Sequence, residues 1–259
     1  MRRHRPSLLK APGWPDHFSA GAQSYARHRP RYPEALFDRI AAEAPARGTA
    51  WDCGSGNGQA ALALAFRFDR VVATDASAHQ LGIARRTAAV HYVVATAEAT
   101  PLAGSSVDLV AVAQAAHWFA LDAFYEEVRR VCRPGALLAM WTYGLCRVSP
   151  ALDETIAWFY REVVGSYWPP QRAWVDGAYR DLPFPFEPVR ISAPDIERDW
   201  TLADLAGYVG TWSAVKRYRD ARGTDPVSAL LVPALRPAWP AGESRSVTWP
   251  LALRAGRVG

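Results

Sequence analysis

The densest concentration of ligand-binding chemistry in the chain is Asp52-Cys-Gly-Ser-Gly-Asn-Gly58. The alternate glycines Gly54, Gly56 and Gly58 let the backbone turn through positive φ and approach a ligand that a Cβ would hold away. An apolar run ends at Asp52 and an alanine-rich helix starts near Gln59. Strand, glycine loop and helix N-terminus in that order make a nucleotide-type pocket at the carboxyl end of a parallel strand. A second acid, Asp75, follows 23 residues after Asp52, at the end of the apolar run Val71–Asp75. A carboxylate is an acceptor with two oxygens, suited to a pair of hydroxyls. Downstream, His117 is the candidate general base for an acceptor that must lose a proton. The alternative is a ring stacked beside Trp118 that only shapes a wall.

These residues need a scaffold that brings strand ends together. The sequence predicts a helix over Glu34–Ala44 begun by Pro33, strands at Thr49–Asp52 and Val71–Asp75, and a helix from an N-cap at Ser77 to Ala89. Further strands are predicted at His91–Ala95 and Ser106–Ala113, the latter near-continuously apolar as a doubly buried strand would be. A helix over Leu121–Cys132, a closing turn Arg133-Pro-Gly135 and a strand Ala136–Trp141 follow. Strands alternating with helices from 49 to 141 imply a doubly wound parallel sheet.

After Tyr143 the pattern changes. A helix over Ala151–Val164 leads into a Pro- and aromatic-rich stretch, then strand-like residues at Val189–Ile191, a helix over Leu202–Arg219 and an alternating run Ser246–Arg254. The expected fold class is α/β, doubly wound, with a mainly parallel seven-stranded Rossmann-like sheet, an antiparallel edge strand and a helical, aromatic cap insertion. The expected organisation is one domain over 1–259. Within it 23–143 is the cofactor-binding core, 144–190 the cap and 191–259 the part that completes the sheet.

Composition narrows the function classes. Half of the 259 residues are hydrophobic and 21% are charged, which excludes a disordered chain. The net charge of +5 is carried mainly by arginine, since Lys10 and Lys216 are the only lysines. No basic run is long enough to read as a nucleic-acid surface. Cys53, Cys132 and Cys146 lack metal-ligand spacing and read as small buried residues. Met1–Lys10 is basic without a following apolar segment, and no apolar run approaches the roughly 18 residues of a membrane span. A cytoplasmic, monomeric or weakly dimeric protein that binds neither membrane nor nucleic acid is expected.

Two ligands compete for the loop. The dinucleotide pattern G-x-G-x-x-G would make the chain an NAD-dependent oxidoreductase, but its third glycine would fall at Gln59, whereas Gly58 comes one residue early. Asp52 is awkward beside a pyrophosphate and acceptable beside a cationic amine. Asp52-x-Gly54-x-Gly56-x-Gly58 resembles motif I of class I S-adenosylmethionine-dependent methyltransferases. Over residues 23–141, Asp75 then resembles the acid that holds both ribose hydroxyls, with Ala76 beside it. Thr96-Ala-Glu98 resembles the segment bracketing adenine, with Thr96 where many relatives have aspartate. Gln114 resembles the residue under the methionine moiety, and Arg133-Pro-Gly135 the turn before strand five.

Tyr25-Ala-Arg-His-Arg-Pro-Arg-Tyr-Pro33 and Ala115-Ala-His-Trp-Phe119 are similar to the type 11 branch, which includes trans-aconitate methyltransferase-like proteins. That resemblance implies that Tyr25 and Arg29 fold over the methionine end of the cofactor. Asp52, Cys53 and the three glycines would cradle S-adenosylmethionine. His117, Trp118, Trp141, Tyr143, Tyr160 and Trp168 are the candidates for the acceptor side, with the alternative that the aromatics are cap core. No metal is expected. The implied activity is methyl transfer to a small organic acceptor, on a carboxylate or hydroxyl. The remaining alternatives are a cofactor-binding protein without catalysis and an RNA methyltransferase.

Overall fold

A computed structural model describes residues 28–259. Its centre is a seven-stranded sheet built from β1 (Thr49–Cys53), β2 (Arg70–Asp75), β3 (Val90–Val94), β4 (Val107–Ala113), β5 (Cys132–Tyr143), β6 (Glu187–Val189) and β9 (Leu251–Arg257). The order across the sheet is β3-β2-β1-β4-β5-β9-β6. The first five strands are parallel, and β9 runs antiparallel to both β5 and β6. Two further strands, β7 (Ile196–Thr201) and β8 (Ser244–Trp249), form a separate antiparallel pair.

Alternation along the central strands feeds two cores, because successive side chains leave opposite faces of a strand. Trp51, Val110, Val112, Leu138 and Met140 point to one side and pack with Phe124, Tyr125 and Val128 of the helix Leu121–Val131. Ala50, Leu109, Ala111, Leu137 and Trp141 point to the other, against Leu36, Phe37 and Ile40 of the helix Glu34–Glu43. Inside the first core the Trp51 indole donates to Thr74 Oγ1 at 2.8 Å, so the neighbouring strands are tied by side chains as well as by the ladder.

Several local outcomes depart from the pattern-based expectations. The helix begun by Ser77 spans only Ala78–Gly82. Arg86 folds back to donate to the Leu81 carbonyl at 3.0 Å, which closes the helix end with a side chain. Arg133-Pro-Gly135 is not a turn outside the sheet but lies within β5. The ladder jumps from Val107↔Cys132 to Leu109↔Leu137, and Arg133 meets Asp108 at 2.5 Å across this bulge. The helix expected over Leu202–Arg219 breaks at Thr211-Trp212 into Leu202–Gly210 and Ser213–Arg222. The tail strand splits at Pro250, which cannot donate to a ladder, so β8 joins the cap and β9 the main sheet.

The cap has its own core. It draws on 143–168 together with 196–249, including Ile156, Phe159, Leu205, Tyr208, Trp212, Trp239 and Trp249. Residues 175–186 return to the sheet, where Val175, Tyr179, Leu182 and Phe186 join the core beneath the helix Leu121–Val131. Much of the chain after residue 190 therefore packs with the cap, and 187–189 and 251–257 complete the sheet. Among the described residues, no helix is long and apolar enough to cross a membrane. No group of three or more His, Cys, Asp or Glu suited to a metal occurs among them either.

Candidate functional site

The loop after β1 shows why glycines are spaced as they are. Gly54, Gly56 and Gly58 all have positive φ, at 68°, 55° and 82°. Beyond that shared requirement they differ. A Cβ on Gly54 would lie 2.6 Å from the Ala115 methyl, and one on Gly58 would strike the Tyr92 ring. At Gly56 the nearest atom is Gln80 Oε1, 4.0 Å away, and the residue faces a cavity. Gly58 and Gly54, the latter also on the cavity wall, are thus glycines that neighbouring side chains require, whereas Gly56 keeps a space open.

Asp75 stands at the edge of this space. Its Oδ2 accepts from the Gly56 amide and its Oδ1 from the Ser77 amide, each at 2.8 Å, which fixes the carboxylate at the cavity wall. Asp52 lies behind the loop instead of on the wall. It is fully buried, and neither carboxylate oxygen has a hydrogen-bond partner of good geometry. Burial is the main reason its pKa rises to about 7; the Ala61 amide opposes the rise and the Asp75 charge adds to it. Cys53 is likewise buried and off the wall, its thiol pushed well above the ordinary range first by burial and then by Asp52.

The ends of β3 and β4 supply the opposite wall with Thr96, Ala97, Gln114, Trp118 and Phe119, and Ala76 completes it beside Asp75. Gln114 takes a left-handed backbone, φ 55°, unusual for a residue with a side chain. Both ends of its carboxamide are held: Nε2 donates to the Tyr143 carbonyl at 2.9 Å, and Oε1 accepts from Thr142 Oγ1 at 2.7 Å. Glu98 is not on the wall. It accepts from the Ala120 amide at 2.9 Å and so caps the helix that starts at Leu121.

On the cap side the wall is formed by Arg29, Pro30, Tyr32 and Tyr143. Arg29 donates to the Tyr143 hydroxyl at 3.3 Å and lies 5.5 Å from the centroid of the Tyr208 ring. The strap 28–32 is tied to both sides: Arg198 donates to the Arg31 carbonyl at 2.7 Å, and Gln59 to Pro30 at 3.4 Å. Tyr25 lies outside the described residues.

Of the other candidates for the acceptor side, Tyr143 and Trp118 reach the cavity. Trp141 does not: it is fully buried, packed edge-on against Tyr32 at 5.6 Å and Phe37 at 6.0 Å. Tyr160 and Trp168 stack at 4.9 Å and meet Trp212 at 5.6 Å within the cap core. His117 sits in a short 3-10 turn after β4, off the cavity wall, with Nδ1 2.8 Å from the Tyr179 hydroxyl. Its pKa falls to about 3, mainly through burial and secondly through the charge of Arg172, so the ring is neutral at ordinary pH.

Sequence reading overlooked Ser55, Asn57, Gln59, Ser77, Gln80 and Phe119, all on the wall. Most follow directly on the carboxyl ends of strands, which is the one signal that could have found them.

Residues 51–140 match the family model described as a methyltransferase domain. The structure is similar to that of a protein described as a type II methyltransferase from Anaeromyxobacter dehalogenans, at 48% identity and a TM-score of 0.83, over 89% of this chain and 98% of that one. A Dictyostelium discoideum protein named as a methyltransferase is 34% identical over 81% of each chain. A Mycobacterium tuberculosis protein named as an uncharacterised methyltransferase is 35% identical over 67% of each.

Proposed function

The chain belongs to the methyltransferase family and is an S-adenosylmethionine-dependent enzyme, and on that premise we propose that it methylates a carboxylate or hydroxyl oxygen of a small organic acceptor beneath the cap. When bound, the cofactor supplies an electrophilic methyl group on a sulfonium. The chain's residues fit it. Gly56 leaves open the space that a Cβ would occupy, and this single observation, with Asp75 anchored beside it, carries the reading. Asp75 would take the ribose hydroxyls, Thr96 and Ala97 would flank the adenine, and Gln114 would lie under the methionine moiety. Asp52, buried behind the loop, has a pKa raised to about 7, so a cationic ligand in front of the loop would favour its ionised form and a pyrophosphate would oppose it.

What the protein adds is position and dryness. Holding an acceptor oxygen in line with the methyl carbon converts an encounter into an intramolecular step. Strap residues Arg29, Pro30 and Tyr32 and the cap-side Tyr143 form one wall of the cavity, where they would limit water at the electrophile. Arg29 stands where cavity and cap meet, and its guanidinium suits a carboxylate of either cofactor or acceptor. A concave cavity walled on one side by the strap and Tyr143 suits a small molecule better than a nucleic-acid strand. In keeping with the resemblance to trans-aconitate methyltransferase-like proteins, carboxylic acids are the first acceptors to test. Three free, buried cysteines accord with a reducing, cytoplasmic setting.

Calorimetric titration with S-adenosylmethionine, S-adenosylhomocysteine and NADH tests the reading, followed by mass-spectrometric detection of methylated products across carboxylic acids and hydroxyl compounds. The first two ligands should bind and NADH should not. Binding of NADH alone would overturn the assignment.

A further inference from the structure

His117, Tyr179 and Arg172 form a group beside the cavity that cofactor binding does not employ. Tyr179 is fully buried, and both it and Ala178 hold left-handed backbone conformations, at φ 56° and 54°. Two consecutive residues with side chains in that region are a strain that a structure tolerates where it fixes something in place. What is fixed here is the phenol under His117, with its oxygen 2.8 Å from Nδ1. The Thr142 hydroxyl and the backbone N–H groups of His117 and Ala116 approach the same oxygen. Those amides are donors, and Thr142 gives its own proton to Gln114 Oε1 at 2.7 Å.

The 2.8 Å contact itself admits either proton assignment; with the two amides directed at the phenol oxygen, the assignment that leaves each group paired has the phenol donating to Nδ1. A neutral imidazole that accepts at Nδ1 carries its own proton on Nε2. Burial and Arg172 keep the ring neutral. The Nε2 edge makes no hydrogen bond within the described residues and is not sealed from solvent, and the ring lies 5.0 Å from that of Trp118 on the cavity wall. Arg172 brings positive charge to the same place. It lies over Trp168 at 4.6 Å and Tyr160 at 5.3 Å, and its Nε donates to the Tyr160 hydroxyl at 2.6 Å and to Asp176 at 3.2 Å.

We infer that His117 meets the acceptor as a fixed Nε2–H hydrogen-bond donor and not as a base, that Tyr179 is the positioning residue which sets this tautomer, and that His117 and Arg172 together select acceptors presenting an anionic oxygen. The inference rests on the methyltransferase reading and names its acceptor class. The chemistry balances without a base. The oxygen–carbon bond forms as the carbon–sulfur bond of the methyl donor breaks, the electron pair stays on sulfur, and no proton leaves a carboxylate.

Long-range 1H–15N correlation spectra of the uniformly 15N-labelled protein report which nitrogen of each histidine ring bears the proton, and His117→Gln identifies the His117 signals. The wild-type ring should show protonated Nε2 and bare Nδ1. Tyr179→Phe should populate both tautomers. Acetate, malonate and benzoate should shift the His117 Nε2 signal, and their amides should leave it unmoved. A proton on Nδ1 in the wild type, an unaltered ring in Tyr179→Phe, or equal responses to acids and amides would overturn the inference. S-adenosylmethionine titrated into the same sample separates the two readings: binding with an Nδ1–H ring sinks this inference alone, and absence of binding sinks the methyltransferase assignment.

Discussion

Replacing Asp52 with asparagine isolates a buried carboxyl group whose pKa is displaced toward neutrality. Asp52 is fully buried, lacks a hydrogen bond of good geometry, and has its pKa raised from 3.8 to about 7 chiefly by desolvation. Between those values the native protein keeps a proton that the unfolded chain has released. Stability must therefore fall as pH rises through the window, the reverse of an ion-paired carboxylate. The full shift corresponds to about 4 kcal/mol, of which about 2.5 kcal/mol develops between pH 5 and pH 8. The carboxamide of the Asp52→Asn variant has nearly the same shape as the carboxyl group and no proton to lose. The variant's stability therefore lacks this component, and groups common to both proteins cancel in the difference. Urea unfolding followed by tryptophan fluorescence, without ligand, measures it. Asp52→Asn should gain about 2.5 kcal/mol on the wild type between pH 5 and pH 8. A difference constant to within about 0.5 kcal/mol would refute the idea of a buried carboxyl titrating near neutrality.

The cofactor side offers two more tests. Asp75→Ala removes the acceptor of the Gly56 and Ser77 amides as well as the proposed ribose partner. Calorimetry should show S-adenosylmethionine affinity reduced about ten- to a hundredfold, and unchanged affinity would remove Asp75 from the site. Gly54→Ala and Gly56→Ala should separate packing from binding. The first drives a Cβ to 2.6 Å from Ala115 and should cost about 1–3 kcal/mol of stability in a thermal melt. The second has space and bears only the left-handed strain of about 1 kcal/mol, yet should weaken cofactor affinity more than about tenfold because its Cβ enters the cavity. Equal affinity losses in the two variants would contradict this division of roles.

Period and punctuation sufficed for much of this molecule. The apolar runs ending at Asp52, Asp75 and Ala113 are strands in the structure, because a doubly buried strand demands unbroken apolar residues and a ligand loop demands glycine. The offset of Gly58 from the dinucleotide pattern, with Asp52 before the loop, was enough to turn the choice from pyrophosphate to a cationic nucleoside. Those are local requirements, and local requirements leave local marks. The ends of the elements were less legible. Arg86 reaching Leu81, or Arg133 meeting Asp108 across a bulge, depends on a partner whose distance in the chain no periodicity encodes.

The cap shows the limit most clearly. Trp141, Tyr143, Tyr160 and Trp168 are equally aromatic in sequence, yet only Tyr143 faces the cavity. Which aromatic becomes wall and which becomes core follows from how 143–168 packs against 196–249, a long-range fit that side-chain type cannot specify. His117 is the same case at the scale of one atom. Its place after β4 was readable from the chain, whereas the partner of its Nδ1 is Tyr179, 62 residues away. Sequence alone determined the sheet and the glycine loop and pointed to the kind of ligand proposed for it, since each is written in residues near one another. The wall opposite that ligand was decided by tertiary contact, because a pocket is defined by what surrounds it.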